Sequence, residues 1–310
     1  MDSKKTLCEG QPTNSTYLLD NAAHEARGRF DALSALFDPG TIRHLEDRGI
    51  RPGWQCLEVG GGAGSIAAWL ATRVGPTGHV LVTDIDPRFL EPLDTPNVEV
   101  RRHNIVTDPL PDAAFDLIHV RAVLLHLPER ERVLTRLVAA LKPGGWLVDE
   151  DLDSVSALPN PTIYPGEILL KTQLAMMRLM DDRGAERRFG RTLFGRLRAL
   201  GLVAVDVEAR MSMWYSGSPG AALMRLNFEQ LREAMISGGY ITVEEIARDI
   251  AQLEDSHFMA PSPILWAAWG QRALAERVYD YTLSQPSAVG VVEHSVTRER
   301  STAFARLFRQ

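Results

Sequence analysis

The sequence predicts an α/β protein in which helices cover both faces of a mostly parallel, doubly wound sheet, and three observations support this. From residue 54 onward, short runs rich in β-branched residues alternate with segments of helical periodicity, as in repeated βαβ units. Most of these runs are continuously apolar, as expected of strands that are buried on both faces. A glycine-rich turn, Gly60 to Gly64, links the first such strand to the helix that follows it.

The first half of the chain yields five strands, an N-terminal helix and a helix before the fifth strand. The helix begins near Tyr17, carries Phe30, Leu33 and Phe37 at helical spacing, and is expected to end at Asp38-Pro39-Gly40. The predicted strands are Gln55 to Val59, His79 to Thr83, Val98 to Arg102, Phe115 to Val120 and Trp146 to Val148. An apolar stripe from Val133 to Leu141 predicts the helix before the fifth strand, and Lys142-Pro143-Gly144-Gly145 should end it.

The second half predicts four helices and two strands. Helices are expected over Ile168 to Met180 and around Leu193 to Leu200, and the alternating valines from Val203 to Val207 predict a sixth strand. Before a last strand, Ile264 to Trp269, we expect an insertion of two helices. One carries the stripe Met224, Phe228, Leu231 and Met235, and the other begins at the capping box Thr242-x-x-Glu245.

The Leu and Met stripes of these helices are interpreted as core, with a lid over a hydrophobic ligand as the alternative. The sequence therefore divides into an N-terminal helical cap (1–50), a main domain (51–271) and a C-terminal tail (272–310). Within the main domain, segments 155–184 and 217–256 are expected to cover the ligand side.

Composition excludes several classes of function. The 310 residues are 45% hydrophobic and 24% charged, as in an ordinary globular protein. A net charge of -6 has the wrong sign for binding nucleic-acid phosphates, so no nucleic-acid partner is expected. Only Cys8 and Cys56 are present, which excludes a disulfide framework or a Cys-rich zinc site within one chain, so we assign no metal. With no apolar leader and no run of ~20 apolar residues, we expect no membrane contact and a cytoplasmic location.

The glycine turn carries the strongest functional signal. It reads G-x-G-x-G, and the third glycine of a dinucleotide fingerprint would fall on Ser65, which argues against a nicotinamide cofactor. Glu58, at the end of the first strand, would repel a pyrophosphate and suits a cationic ligand. Asp84, at the end of the second strand, can accept hydrogen bonds from both hydroxyls of a ribose. The alternative for such a residue, a turn or helix N-cap, fits the nearby Asp86 better.

At this point the chain resembles the class I S-adenosylmethionine-dependent methyltransferases, in particular their small-molecule branch of type 11 or ubiquinone/menaquinone-biosynthesis-like enzymes. The resemblance covers roughly residues 17 to 271. Its motifs, in order, are LEVGGGAG (57–64), VTDID (82–86), HNI (103–105), FDLIHVRAVLLHLP (115–128) and LKPGGWLVDED (141–151).

The resemblance implies a Rossmann-like seven-stranded sheet of order 3-2-1-4-5-7-6 with strand 7 antiparallel, and S-adenosyl-L-methionine as cofactor. It assigns Asp84 to the ribose, Ile85 and Ile105 to the two faces of the adenine, and Arg121 with its neighbour to backbone contacts with the methionine end. Asn104 stands where the family usually has Asp, and its carbonyl oxygen can still accept from the adenine amino group. Tyr17 could close over the cofactor or simply pack. The methionine part of the cofactor is assigned to Glu58, Gly60, Gly61, Gly62 and Gly64.

Methyl transfer needs positioning of the acceptor more than a nucleophilic residue. A general base would help a phenol or alcohol acceptor, and the two candidates are His126, after the fourth strand, and His257, before the last strand. His126 is favoured as structural. The acidic run from Asp149 to Asp153 is either a solvated loop with a helix cap or a recognition site for an amine acceptor.

The leading hypothesis is a methyltransferase acting by in-line displacement on a small molecule of secondary or quinone-like metabolism. Two alternatives stay open: a nicotinamide-dependent oxidoreductase on a similar sheet, and a non-catalytic regulatory protein that binds S-adenosylmethionine. The expected partner is a small-molecule acceptor, and a homodimer is allowed for.

Overall fold

A computed structural model describes residues 18–91, 93, 95–155 and 170–274. Tyr17, most of the tail and much of the segment 155–184 therefore lie outside the described residues. Within the described ranges, nine strands form two sheets: β1 Gln55–Val59, β2 His79–Asp84, β3 Val98–Arg102, β4 Phe115–Arg121, β5 Leu141–Asp153, β6 Val203–Arg210, β7 Met213–Tyr215, β8 Met259–Pro261 and β9 Ile264–Gln271.

The main sheet has the order β3-β2-β1-β4-β5-β9-β6. Strands β1 to β5 pair in parallel, while β9 runs antiparallel to both β5 and β6. Since β6 and β9 are the sixth and last predicted strands, the predicted order 3-2-1-4-5-7-6 is confirmed. The small pair β7 and β8 was not predicted, because three residues are too few to reveal an alternating pattern.

The helices are α1 Ala26–Asp47, α2 Ser65–Val74, α3 Arg130–Ala140, α4 Lys171–Asp182, α5 Phe189–Ala199, α6 Pro219–Ser237 and α7 Val243–Glu254. Leucines of α3 and α5 pack on one face of the main sheet, and α1 and α2 pack on the other. The predicted capping box is present, since Thr242 accepts from the Glu245 N–H and the Glu245 side chain accepts from the Thr242 N–H.

A third core lies above the sheet edge, where α1, α4, α6 and α7 meet. Phe228 of α6 is fully buried there, together with Phe258 and Trp214 from beside and within the small strand pair. The interpretation of the Leu and Met stripes as core is therefore confirmed, and a lid over a ligand stays a prediction. Met235 is buried in a neighbouring helical cluster, whereas Met224 is both part of the third core and exposed along one edge to a cavity.

The prediction that the first helix ends at Asp38-Pro39-Gly40 was wrong, because α1 continues through Pro39 to Asp47. Proline removes one backbone hydrogen bond, but contacts with the sheet hold the helix on both sides of it. Arg121 donates to Asp38 and Thr41, at 2.8 Å each. A Cβ on Gly40 would lie 0.9 Å from the Arg210 guanidinium, so glycine here makes room for that side chain rather than ending the helix.

Candidate functional site

One continuous cavity lies at the carboxyl ends of β1, β2 and β4 and extends between α1, α4 and α6. Ten of the predicted site residues line it: Glu58, Gly60, Gly61, Gly62, Asp84, Ile85, Asn104, Ile105, Arg121 and His126. The topology explains this convergence, since parallel strands present their carboxyl ends at one edge of a sheet. These side chains belong to separate motifs, and the sheet brings them together.

Two described candidates do not line the cavity. Gly64 precedes α2 with φ +84°, and a Cβ there would lie 2.6 Å from Leu93. Its role is therefore to allow the turn conformation and the close packing of Leu93, on the side of the turn away from the cavity. His257 is a correction to the sequence-based expectation. Its side chain is 92% exposed and bonded to Asp255 at 2.9 Å, so it cannot reach a ligand in the cavity.

The glycine turn leaves backbone room for a ligand. Gly60 and Gly62 have φ of +70° and +57°, a region that favours glycine. A Cβ on Gly60 would lie 2.4 Å from Val123, and one on Gly62 would lie 2.9 Å from the Phe30 ring. Side chains at these positions would fill the space through which a ligand approaches the amides at the start of α2.

Asp84 is the last residue of β2 and lines the cavity. Its carboxylate accepts from the Gly62 N–H at 3.1 Å and from the Asp86 N–H at 2.9 Å, which fixes its orientation. Burial raises the pKa of Asp84, and the two backbone hydrogen bonds oppose that rise. Each oxygen retains lone pairs for a further donor, as two vicinal hydroxyls would supply.

The neighbouring residues form an apolar slot with one polar edge. Ile85 is 38% exposed although it is large and apolar, and Ile105 lies buried at the cavity wall. The Asn104 carbonyl accepts from the Val106 N–H at 3.0 Å, which leaves its second lone pair for another donor. A planar aromatic ring with an amino group fits this combination.

Glu58 is held by a buried histidine that the sequence analysis did not single out. Nδ1 of His119 lies 2.7 Å from Oε2 of Glu58, and its Nε2 lies 3.5 Å from Oε2 of Glu150. Although burial alone would lower it, the two carboxylates raise the pKa of His119 to about 9. His119 is therefore an imidazolium at neutral pH. The polar residue within the apolar run FDLIHVR was the available signal.

Glu150 completes this arrangement, which we call the His119 network: Glu58, His119, Glu150, Thr41, Arg121 and Arg210. Thr41 donates to Glu150, and Arg210 donates to it at 2.9 Å. Burial opposes ionisation, but His119, the charge of Arg121 and the hydroxyl of Thr41 lower the pKa of Glu150 to about 2. The network joins the cavity floor at Glu58 to α1 through Thr41.

Two further predicted site residues, Arg121 and His126, line the cavity, but neither offers it a charged side chain. The Arg121 guanidinium bonds to α1, so only the rest of this residue, with Ala122, is available to a ligand. Burial, with Arg29 and Arg130 nearby, lowers the pKa of His126 to about 4. His126 is neutral at pH 7 and is a weak base, in keeping with the structural role favoured for it.

Both interpretations of the acidic run were wrong. Asp149, Glu150, Asp151 and Asp153 are fully buried on β5, and none lines the cavity, so they neither form a solvated loop nor meet an acceptor. No described residue bonds to either oxygen of Asp149. Burial and its acidic neighbours raise the pKa of Asp149, and burial raises the pKa of Asp151 to about 8.

We expect Asp149→Asn to flatten the pH dependence of stability. Because the folded pKa lies above the unfolded value, the folded state binds more protons, and stability falls as pH rises above about 4. The variant should melt several degrees above the wild type at pH 8, with the difference shrinking toward pH 4. Thermal melts from pH 4 to 8 measure this, with the exposed Asp112→Asn as control. Parallel curves for variant and wild type would contradict it.

Within the described residues, no helix has the length and apolar character that a membrane crossing requires.

Comparison with known proteins supports the same reading of the motifs. Residues 57–147 match the family model of a methyltransferase domain. The chain is 36% identical over 138 residues to methyltransferase str2 of Strobilurus tenacellus, an alignment that covers 44% of this chain and 49% of that protein. It is 29% identical over 138 residues to the ubiquinone/menaquinone biosynthesis C-methyltransferase UbiE of Ectopseudomonas mendocina, covering 40% of this chain and 54% of that protein. The chain thus spans about half the length of these curated relatives.

A solved structure shares the fold at low sequence identity. The phosphoethanolamine N-methyltransferase 2 of Haemonchus contortus, in complex with S-adenosyl-L-methionine, aligns with a TM-score of 0.54 and 14% identity, covering 85% of this chain and 61% of that one. The comparisons confirm the resemblance drawn from the motifs, since the matched family model and both relatives are methyltransferases.

Proposed function

We propose, from the premise that residues 57–147 form a methyltransferase domain of the class I S-adenosylmethionine-dependent family, that this protein transfers a methyl group to a small-molecule acceptor. One observation carries the proposal. The glycine turn, Glu58, Asp84 and Asn104 line one end of a cavity whose other end, here called the acceptor chamber, is largely apolar and lies between α1, α4 and α6. Direct transfer of a methyl group requires that the cofactor and the acceptor be held next to each other, and a single cavity with one end for each allows this.

The residues at the cofactor end fit S-adenosylmethionine. Asp84 would accept from the ribose hydroxyls, and Ile85 and Ile105 would hold the adenine between them. Glu58 offers a carboxylate to the ammonium of the methionine part, while His119 fixes that carboxylate from below. When bound, S-adenosylmethionine supplies an electrophilic methyl carbon on a sulfonium.

At the acceptor end, the chain contributes enclosure and orientation. Met176, Met180, Met224 and Leu231 line the chamber, and thioether side chains adapt to the shape of a bound body. Excluding water there favours in-line attack by the acceptor atom. His126 is neutral at pH 7 and could accept a proton only from an acidic acceptor, so positioning is the main catalytic effect.

An acceptor from secondary or quinone-like metabolism is supported by the likeness to str2 and UbiE over half of their lengths. We also propose a cytoplasmic location, based on the cysteine content, and allow for a homodimer. The competing functions are a nicotinamide-dependent oxidoreductase and a regulatory protein that binds S-adenosylmethionine without turnover.

Calorimetric titration with S-adenosylmethionine, S-adenosylhomocysteine and NADH tests the proposal. We expect micromolar dissociation constants for the first two and no heat from NADH beyond dilution. NADH binding alone would support the oxidoreductase and overturn the proposal. Binding of S-adenosylmethionine without methylation of any compound in a broad acceptor panel would favour the regulatory protein.

A further inference from the structure

The acceptor chamber contains a buried cation that has no counter-charge among the residues that the structure describes. Arg29, on α1, is 4% exposed and lines the cavity. Its Nε and Nη2 atoms are buried and have no hydrogen-bond partner among the described residues. Its one described ring contact is with Phe30, whose centroid lies 4.7 Å from the guanidinium carbon. A buried guanidinium normally has a bonded partner, because leaving its donors unsatisfied costs free energy.

Two neutral polar groups face the same chamber. Gln173 of α4 is 6% exposed, and its Oε1 has no partner among the described residues. Asn227 of α6 also lines the cavity, and its Oδ1 is buried and equally unpartnered. Amide groups can turn to present either a donor or an acceptor. Three helices thus each bring one unsatisfied polar group to a largely apolar chamber, where the indole N–H of Trp214 is a further donor without a partner among the described residues.

The other charges of the cavity are already balanced or assigned. Arg121 is paired with Asp38, Glu58 is paired with His119, and Asp84 accepts from the Gly62 N–H and is assigned to the ribose under the proposed function. His126 is neutral at pH 7. Among the described residues that line the cavity, Arg29 therefore gives the acceptor end a positive charge that no carboxylate compensates.

We propose that the acceptor is an apolar molecule with a carboxylate group that Arg29 binds, assisted by Gln173 and Asn227. A guanidinium binds a carboxylate through two parallel hydrogen bonds, and this neutralises the buried charge. A single cation with two amides matches a monoanion better than a phosphate, which carries nearly two charges and more acceptor oxygens. This inference deepens the proposed function and rests on it.

The chamber walls select the rest of the molecule. Leu33, Leu223, Leu231 and the methionines Met176 and Met180 offer apolar contacts around the polar group. An aryl or alkyl body would bury its surface against them while its carboxylate reaches Arg29. An amine acceptor is disfavoured, because it would place a second cation beside Arg29.

The test uses phenylacetate as a probe, titrated into the full chain saturated with S-adenosylhomocysteine. The neutral isostere 2-phenylacetamide, the amine phenethylamine and the dianion phenyl phosphate are compared under the same conditions. We expect phenylacetate to bind at least about tenfold more tightly than each of the other three, since hydrogen bonds to charged groups are the stronger ones. Ligand-observed NMR and calorimetry measure these constants.

Variants assign the effect to Arg29. Arg29→Gln should abolish the preference for phenylacetate over its amide, and Arg29→Lys should keep only part of it, because an ammonium cannot form the bidentate pair. Arg27→Gln is the matched control. It removes an exposed arginine two positions before Arg29 on α1 and should leave the preference for phenylacetate unchanged.

Each remaining outcome contradicts the inference. Equal or weaker binding of phenylacetate relative to any of the other three probes overturns it, and this comparison needs only the wild type. Loss of S-adenosylhomocysteine affinity in Arg29→Gln, without a carboxylate preference in the wild type, assigns Arg29 to the carboxylate of the cofactor instead. Failure of the wild type to bind S-adenosylhomocysteine overturns the proposed function itself, and this outcome is distinct from the others.

Discussion

Asp84→Ala is expected to weaken the binding of S-adenosylmethionine by about 100-fold, since two charge-assisted hydrogen bonds to the ribose together contribute about 3 kcal/mol. The loss has a second component. The Asp84 carboxylate also accepts from the Gly62 N–H, so its removal frees the glycine turn that would hold the methionine part. Calorimetric titration with S-adenosylhomocysteine measures the change.

Asp84 should also make the affinity for S-adenosylmethionine depend on pH. Burial raises the pKa of Asp84, and only the ionised carboxylate accepts from both hydroxyls. Affinity should therefore fall as pH decreases through that raised pKa, and Asp84→Asn should remove this dependence. Asp86→Asn is a suitable control, because its backbone N–H still donates to Asp84 while its side chain bonds to Arg88. An unchanged dissociation constant in a folded Asp84→Ala variant would falsify the ribose assignment.

His119→Leu is expected to have the largest effect on stability. Removing the imidazolium leaves Glu58 and Glu150 buried without their shared cation, and loss of one partner of a buried ion pair costs about 3–5 kcal/mol. That is a large fraction of a typical free energy of unfolding. Urea unfolding at pH 6 measures it, and the exposed pair of His79 and Glu99 provides the control variant His79→Leu.

The sign of the pH dependence follows from the two pKa values. The pKa of His119 is raised from 6.5 to about 9, so its stabilisation is complete below pH 6.5 and is lost as pH rises through 9. The pKa of Glu150 is lowered from 4.5 to about 2, so its stabilisation is complete above pH 4.5 and is lost at lower pH. The network is therefore most stabilising between about pH 4.5 and 6.5. An NMR titration of the His119 ring in the wild type that gives a pKa at or below 6.5 would contradict this assignment, even if the variant fails to fold.

The centre of the sheet could be predicted from the sequence because its strands are buried on both faces. Strand β1 has the predicted bounds, since its apolar run ends where a turn begins, and the edge strand β3 has them although it is half exposed, because Val98 and Val100 alternate with polar residues. Strand β5 is longer than predicted and begins at Leu141, because Lys142-Pro143-Gly144-Gly145 lies at the sheet end and still pairs through its flanking residues. Local turn signals identified this segment, but they could not reveal its pairing.

The cofactor end of the cavity could be predicted, whereas the acceptor end could not. Glu58, Asp84 and Asn104 lie at or just beyond the carboxyl ends of β1, β2 and β3, so their convergence depends only on strand order. Arg29, Gln173 and Asn227 lie on three different helices, and their meeting depends on helix packing that no local pattern encodes. One signal was available, since Arg29 shares a helical face with Leu33 and Leu36, four and seven positions later.

The uninterrupted passage of α1 through Pro39 has a consequence for how the two ligands are taken up. One end of this helix carries Arg29 in the acceptor chamber, and its other half is fastened through Thr41 to Glu150, which shares His119 with Glu58. Arg29 and Thr41 are twelve positions apart, or about 18 Å along the helix axis. If α1 shifts when a ligand binds at one end of the cavity, the residues at the other end shift with it. We therefore expect the cofactor and the acceptor to bind cooperatively rather than independently. By thermodynamic linkage, the factor by which the bound cofactor raises the affinity for the acceptor equals the factor by which the bound acceptor raises the affinity for the cofactor.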